Sequence, residues 1–315
     1  MMRMRRLSRR GGPAALAAAV LILSCSVMYG GGCGDSRVST GEIDVAEDGV
    51  PVISYHYFRE GTTPGRTLRS IGAVLLNLPL ISPMDYWSVS AGTFERHLAY
   101  LDKEGFRTVT TDDLLAHMRG ERVLRGKCVV LTFDDADESV YRHAYPLLER
   151  YGMKGTIFVI TSKIGQRWSG LSISSIDQLR EMQRSGVMEI ESHTHDMHYK
   201  LKTGESPHPS FDLLARSGGP NERNAVLKDL ETSRRTIERF FGGESLVLAW
   251  PFGFGSAPSD SIARDAGFEG ICSLWPGTNG VGDSPFFIKR YTITARTSMR
   301  AFRLMANGAY REPED

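Results

Sequence analysis

The chain has 315 residues, 41% of them hydrophobic and 24% charged, with a formal net charge of +1. That composition excludes a disordered or fibrous protein and supplies enough apolar side chains for a sizeable core. The near-neutral balance gives no general attraction to nucleic acid or to an anionic membrane, so neither is an expected partner.

At the N-terminus, Arg3, Arg5, Arg6, Arg9 and Arg10 precede an apolar run from Ala14 to Met28 and the small-residue segment Gly30-Gly31-Gly32-Cys33. A basic end, a short apolar stretch and small residues describe an export signal, too short for a comfortable membrane span. Gly32-Cys33-Gly34-Asp35-Ser36 also looks like the start of a mature bacterial lipoprotein, with Cys25 as a rival lipid acceptor. The expected organisation is a signal over 1–33, a polar acidic linker over 34–49, and one catalytic domain over 50–315. The expected location is the periplasm or cell surface, with an N-terminal lipid anchor as the only route to a membrane.

The globular part begins with the β run Pro51-Val52-Ile53-Ser54-Tyr55. Residues 59–85, with Gly61, Pro64, Gly65, Pro79 and Pro83 around an apolar patch, read as an irregular excursion capping the site. Phe94, Leu98 and Leu101 recur at helical spacing before Gly105. Arg107 to Thr110 and Cys128 to Phe133 read as strands, and Val140, Ala144, Leu148 and Tyr151 as a helical stripe kinked by Pro146. A strand at Thr156 to Ile160, a helix at Asp177 to Ser185, and a strand at Val187 to Glu191 follow. The long helix Asn224 to Phe241 then leads into strands at Leu246 to Trp250, Glu269 to Leu274 and Phe287 to Thr294. This alternation predicts an α/β fold with a parallel sheet, and the number of units points to a barrel. Cys128 and Cys272 lie in strand-like runs without a nearby Cys at metal-site spacing. They are expected to be small buried hydrophobes, with a disulfide between them left open.

Asp134 and Asp135 stand directly after the Cys128 to Phe133 run, at the strand end where active sites of parallel α/β sheets gather. Two carboxylates at close range raise each other's pKa unless a cation separates them. A second cluster, Glu191-Ser192-His193-Thr194-His195-Asp196-Met197-His198, places three of the chain's eight histidines in six residues at another strand end. Mixed imidazole and carboxylate ligation with an open position marks a hydrolytic metal site.

These motifs resemble those of the NodB-homology polysaccharide deacetylases, carbohydrate esterase family four, from about Val50 to Asn307. The resemblance implies a distorted (β/α) barrel of about seven units and removal of acetyl groups from a glycan. Thr132-Phe133-Asp134-Asp135 matches the first motif, which makes Asp134 the catalytic base and Asp135 a ligand of one divalent metal. Zinc is the expected metal, with nickel, cobalt or iron as alternatives. The ligand spacing of the poly-N-acetylglucosamine deacetylase branch selects His193 and His198, leaving His195 a bystander. The third motif is Ala249-Trp250-Pro251-Phe252-Gly253, which lacks the arginine that usually orients the base. Arg290 is a candidate substitute. No histidine follows His208, so the family's C-terminal acid is absent. The same branch is circularly permuted, and its N-terminal Tyr-His strand end makes His56 the candidate general acid. The Phe252 N–H is a candidate oxyanion donor. Tyr55, Trp250, Pro251 and Arg290 are candidate substrate contacts, with Trp275 a further stacking candidate. The expected substrate is a poly-N-acetylglucosamine-like envelope or extracellular polysaccharide. The alternatives are peptidoglycan, an O-acetyl ester, or an inactive exported glycan-binding protein of the same fold.

Overall fold

The computed structural model describes residues 49–59, 83–203 and 206–311. The expected export signal and nearly all of the linker therefore lie outside the described residues, as does residue range 60–82 of the excursion.

Nine strands share one sheet: Thr278–Asn279 pairs antiparallel with the first, and the other eight are β1 (Val50–Tyr55), β2 (Arg107–Val109), β3 (Cys128–Phe133), β4 (Gly155–Val159), β5 (Met188–Ser192), β6 (Val247–Ala249), β7 (Gly270–Cys272) and β8 (Tyr291–Thr292). Their order is β7-β6-β5-β4-β3-β1, with β8 parallel to β1 and β2 parallel to β3. Every pairing among β1 to β8 is parallel. A parallel bridge joins Cys272 to Ile288, while Tyr291 and Thr292 pair with Ile53 and Ser54. The segment 288–292 thus touches the last strand and the first, and the sheet curls into the expected distorted barrel.

Side-chain alternation explains why these runs became strands. Successive residues face opposite sides of a strand, so a strand buried on both faces is apolar almost throughout. Val52, Val130, Phe158, Val247, Ala249, Cys272 and Ile288 form one buried cluster. The alternate residues Ile53, Tyr55, Val129, Leu131, Phe133, Ile157 and Val159 belong to another, which includes helical side chains.

Besides the single turn Pro83–Tyr86, the α-helices of the described residues are α1 (Ala91–Lys103), α2 (Thr111–Met118), α3 (Tyr145–Arg150), α4 (Ile176–Arg184), α5 (Ser210–Ser217), α6 (Pro220–Phe241), α7 (Ala257–Asp265) and α8 (Met299–Ala306). Local chemistry sets their starts: Ser90 accepts from the Thr93 N–H, and Thr110/Asp113 and Ser175/Gln178 form capping boxes. The stripe predicted over Val140 to Tyr151 is divided. A π-helical turn, Val140–Ala144, closed by the Tyr145 N–H on the Val140 carbonyl, precedes α3. Pro146 has no N–H for the preceding turn, which accounts for the altered hydrogen bonding. The strand predicted over Phe287 to Thr294 is also corrected: a 3-10 turn occupies Pro285–Phe287, and only Tyr291–Thr292 is ladder-paired. Cys128 and Cys272 are both buried and free. Among the described residues no helix is long and apolar enough to cross a membrane.

Candidate active site

Parallel neighbours end on the same rim, so residues far apart in sequence meet there. His56 follows β1, Asp134 and Asp135 follow β3, His193 follows β5 and Trp250 follows β6. The Asp134 N–H donates to the Tyr55 carbonyl at 2.9 Å and the His193 N–H to the Val159 carbonyl at 2.9 Å, extending the ladders into the rim. Asp135 (φ 70°), Ala136 (57°), Thr194 (72°) and Phe252 (65°) are four of the five non-glycine residues with positive φ among the described residues. Such conformations cost about 1–3 kcal/mol each and persist only where surrounding structure enforces them. Here they turn the chain so that acidic and imidazole groups face one another.

One ligand atom from each of Asp135, His193 and His198 lies within 4.8 Å of the others. The Nε2 atoms of His193 and His198 lie 3.5 and 3.2 Å from Asp135 Oδ1. Neither contact has hydrogen-bond geometry, and this buried oxygen has no hydrogen-bond partner among the described residues. His193 Nδ1 lies 2.7 Å from the Ala249 carbonyl, which can only accept, so that nitrogen carries the proton and Nε2 offers its lone pair. Tyr57 donates its hydroxyl to the other Asp135 oxygen at 2.6 Å. An orphaned carboxylate oxygen facing two imidazole nitrogens, each ligand held from behind, fits a divalent cation. Burial pushes the Asp135 carboxyl up, but His193 and His198 pull it well below the usual carboxylate range. For His193, burial favours the neutral ring and the contact with Asp135 outweighs it, raising the pKa. His198 packs between Trp168 and Phe252, with ring centroids at 5.0 and 4.7 Å.

Beside this cluster, Asp134 and Arg290 form a fully buried bidentate pair. Arg290 donates from Nη1 to Oδ1 at 2.7 Å and from Nη2 to Oδ2 at 2.9 Å, while Nε donates to the Ser273 carbonyl at 2.8 Å. Burial alone would raise the Asp134 carboxyl, but Arg290, with help from His193 and His56, holds it below its ordinary value. Arg290 has no accessible surface, so its expectation as a substrate contact is corrected. Its guanidinium serves Asp134.

His56 stacks at 4.8 Å on Trp87, and its Nδ1 is buried without a hydrogen-bond partner among the described residues. Burial lowers its pKa, while the nearby Asp134 and Asp135 carboxylates act to raise it. The other expected substrate contacts are also corrected. Tyr55 is fully buried, its hydroxyl 3.0 Å from His97 Nδ1. Trp250 is 1% exposed, stacked at 4.2 Å on Phe211, with Nε1 donating to Asp260. Pro251 is buried in the same turn. Trp275, by contrast, is 61% exposed. His195 Nδ1 lies 2.9 Å from the Thr161 hydroxyl, and His195 is not in the ligand cluster. Sequence reasoning missed Tyr57, Trp87 and Trp168. Tyr57, next to His56, was open to discovery by its position, whereas nothing local marks a Trp at the end of an irregular excursion.

A family model described as polysaccharide deacetylase matches residues 121–271. The poly-beta-1,6-N-acetyl-D-glucosamine N-deacetylase of Staphylococcus aureus is 28% identical over 209 residues, 66% of this chain and 68% of that protein. Among solved structures, IcaB from Ammonifex degensii aligns with a TM-score of 0.67 at 28% identity, covering 83% of this chain and 97% of the other. A de-N-acetylase from Aggregatibacter actinomycetemcomitans shares the fold, with a TM-score of 0.67 at 21% identity over 82% of this chain and all of that one. By its matched segment, its relatives and its barrel, the chain carries a polysaccharide deacetylase domain.

Proposed function

We propose that the chain is an exported, metal-dependent N-deacetylase acting on a poly-N-acetylglucosamine-like polysaccharide. The observation that carries this reading is the buried meeting of Asp135, His193 and His198 beside an aspartate, Asp134, that is held in place but free of the ligand cluster. Two imidazoles and one carboxylate with room for further ligands suit zinc, with nickel, cobalt and iron as alternatives. A divalent cation held there supplies Lewis acidity towards the acetamide carbonyl and lowers the pKa of water from 15.7 towards ~7.

The chain's own groups carry the protons. Asp134, kept ionised and aimed by Arg290, accepts the proton of the water that attacks the acetyl carbonyl. The left-handed backbone at Phe252, whose ring packs against His198, supports its N–H as an oxyanion donor, a role typically worth ~3 kcal/mol. As the carbon–nitrogen bond breaks, His56 protonates the departing nitrogen, so the products are acetate and a free sugar amine. Burial works against the imidazolium form of His56 and the two nearby carboxylates work for it. Export rests on the arginine-rich start and apolar run of residues 3–28.

The test is acetate release from N-acetylglucosamine oligomers, O-acetylated glycans and peptidoglycan, with metal content measured after dialysis. Asp134→Asn is expected to keep metal and lose activity, whereas Asp135→Ala and His193→Ala lose both. Normal turnover by Asp134→Asn, or full metal retention by both ligand variants, refutes the assignment.

A further inference from the structure

The two imidazoles of the ligand cluster are placed by different means. His193 directly follows β5, and its Nδ1 lies 2.7 Å from the Ala249 carbonyl. His198 stands five residues further on. Among the described residues its ring is held by packing on Trp168 and Phe252, at 5.0 and 4.7 Å, and not by a hydrogen bond to its far nitrogen. Its distance from His193 therefore depends on the path of the backbone between them. That path opens on a constrained residue: Thr194 has a left-handed φ of 72°, which a β-branched side chain adopts only where its surroundings enforce it.

Much of the enforcement comes from α6. The Asp229 carboxylate spans the loop, Oδ1 accepting from the His195 N–H at 2.9 Å and Oδ2 from the Asp196 N–H at 2.8 Å. Hydrogen bonds to an ionised acceptor are roughly twice as strong as neutral ones, and two on consecutive amides fix the orientation of both peptides. On the opposite edge the Thr161 N–H donates to the Thr194 carbonyl at 3.1 Å and the Ser162 N–H to the His195 carbonyl at 3.0 Å. Lys163 donates to the Asp196 carboxylate and offsets its charge beside Asp229. Met197 is 8% exposed and packs in the cluster that holds Val226 and Leu230. Val226, Asp229 and Leu230 share one face of α6, so a single helix holds the loop by two backbone amides and one side chain. Asp229 itself bonds to backbone N–H groups and to no ligand side chain.

We propose that Asp229 is a positioning residue for the metal centre: by clamping residues 195 and 196 it sets the separation of His193 and His198 before any cation arrives. The proposal rests on the metal-dependent reading above and adds that α6 tunes metal affinity and coordination geometry. The experiment measures zinc affinity by competition with a chelator, and the visible absorption of the cobalt(II)-loaded protein, for wild type, Asp229→Asn and Ile237→Ala. Asparagine keeps the shape of Asp229 but turns an NH2 group towards one of the two N–H donors. Ile237→Ala removes buried volume about two turns further along the same helix and controls for lost stability. Asp229→Asn is expected to weaken zinc binding about 10–100-fold, the scale for groups that orient a ligand, and to alter the cobalt spectrum. Ile237→Ala is expected to lower the melting temperature and leave both metal readouts at their wild-type values. Hydrogen exchange of metal-free wild type adds a measurement without any substitution, with the amides of residues 195 and 196 expected to be protected. Wild-type affinity and spectrum in Asp229→Asn, an equal loss in Ile237→Ala, or unprotected amides in that segment overturns the positioning role and leaves the metal centre intact. Wild type that binds no zinc overturns the metal-dependent reading itself, and this role with it.

Discussion

The buried pair of Arg290 and Asp134 permits a quantitative test. Both side chains are essentially inaccessible, at 0% and 3% exposure, and both carboxylate oxygens accept from the guanidinium. Removing one partner of such a pair leaves an uncompensated charge inside the protein, at a cost of about 3–5 kcal/mol. Replacing both with apolar groups of similar volume is often neutral or stabilising, because the desolvation of two ions is relieved together. Arg290→Met is therefore expected to lose about 3–5 kcal/mol, and Arg290→Met with Asp134→Leu to recover most of it. Urea unfolding of wild type, both single variants and the double variant measures this, using dialysed, metal-free protein so that no bound cation substitutes for the guanidinium. Acetate release is lost in both the Arg290→Met and the double variant, so stability and activity separate. A loss below about 1 kcal/mol for Arg290→Met, or a double variant no more stable than that single, would refute the idea that Arg290 holds a buried anion.

The hydroxyl of Tyr57 holds one oxygen of Asp135 and leaves the other facing the imidazoles. Tyr57→Phe is expected to weaken metal affinity by about 10–100-fold, the scale for groups that orient a ligand, as read by competition with a chelator; unchanged affinity argues against this role. His97 provides a pH test away from the rim: burial lowers its pKa from 6.5 to about 3, and it stacks at 3.8 Å on Phe302. The folded state keeps this ring neutral, so the unfolded chain takes up the proton first as pH falls. Its stabilising contribution is complete above pH 6.5 and is lost progressively towards pH 3, reaching about 2 kcal/mol at pH 5. His97→Gln is expected to flatten that part of the stability profile measured by denaturant titration; an unaltered slope rejects the assignment.

Much of the barrel was legible because its strands are buried on both faces, so continuous apolar runs such as Cys128 to Phe133 stand out against the helical stripes. Shorter ladders were less legible. β6 and β7 have three residues each, and β8 only two. The Asp pair and the His cluster were recognisable since each directly follows a strand. The errors at Tyr55 and Trp250 have one cause, which is strand parity. Val52 belongs to the cluster that includes Val130 and Cys272, whereas Ile53 and Tyr55 belong to the other. His56 falls on the Val52 side and Tyr55 on the opposite one. Likewise Val247 and Ala249 join the first cluster, while Leu248 and Trp250 pack with Phe211 in a third. Alternation therefore separates site residues from their immediate neighbours, a distinction that residue type alone does not make.

Parity also bears on the absent arginine of the third motif. A curled sheet has no first strand, so a charge reaches a given place from any strand that borders it. Ile288 bridges to β7, Tyr291 pairs with β1, and Arg290, between them, reaches Asp134 on β3. Position 249, where the family motif carries arginine, instead holds a fully buried alanine whose carbonyl accepts from His193. If the cationic position is already filled by Arg290, Ala249→Arg would force a second guanidinium into a closed cluster, adding volume and a like charge. Overpacking alone costs about 1–3 kcal/mol, and an unpaired buried charge adds to it. Ala249→Arg is thus expected to lower the unfolding midpoint and activity. Combining it with Arg290→Met is expected to recover part of the stability lost by Ala249→Arg alone, because only one cation then competes for Asp134. Denaturant midpoints and acetate release for the four proteins decide it. A single Ala249→Arg variant that is more stable and more active than wild type would mean that Asp134 lacks a partner in the native chain, and the pairing with Arg290 would lose its claim to that role.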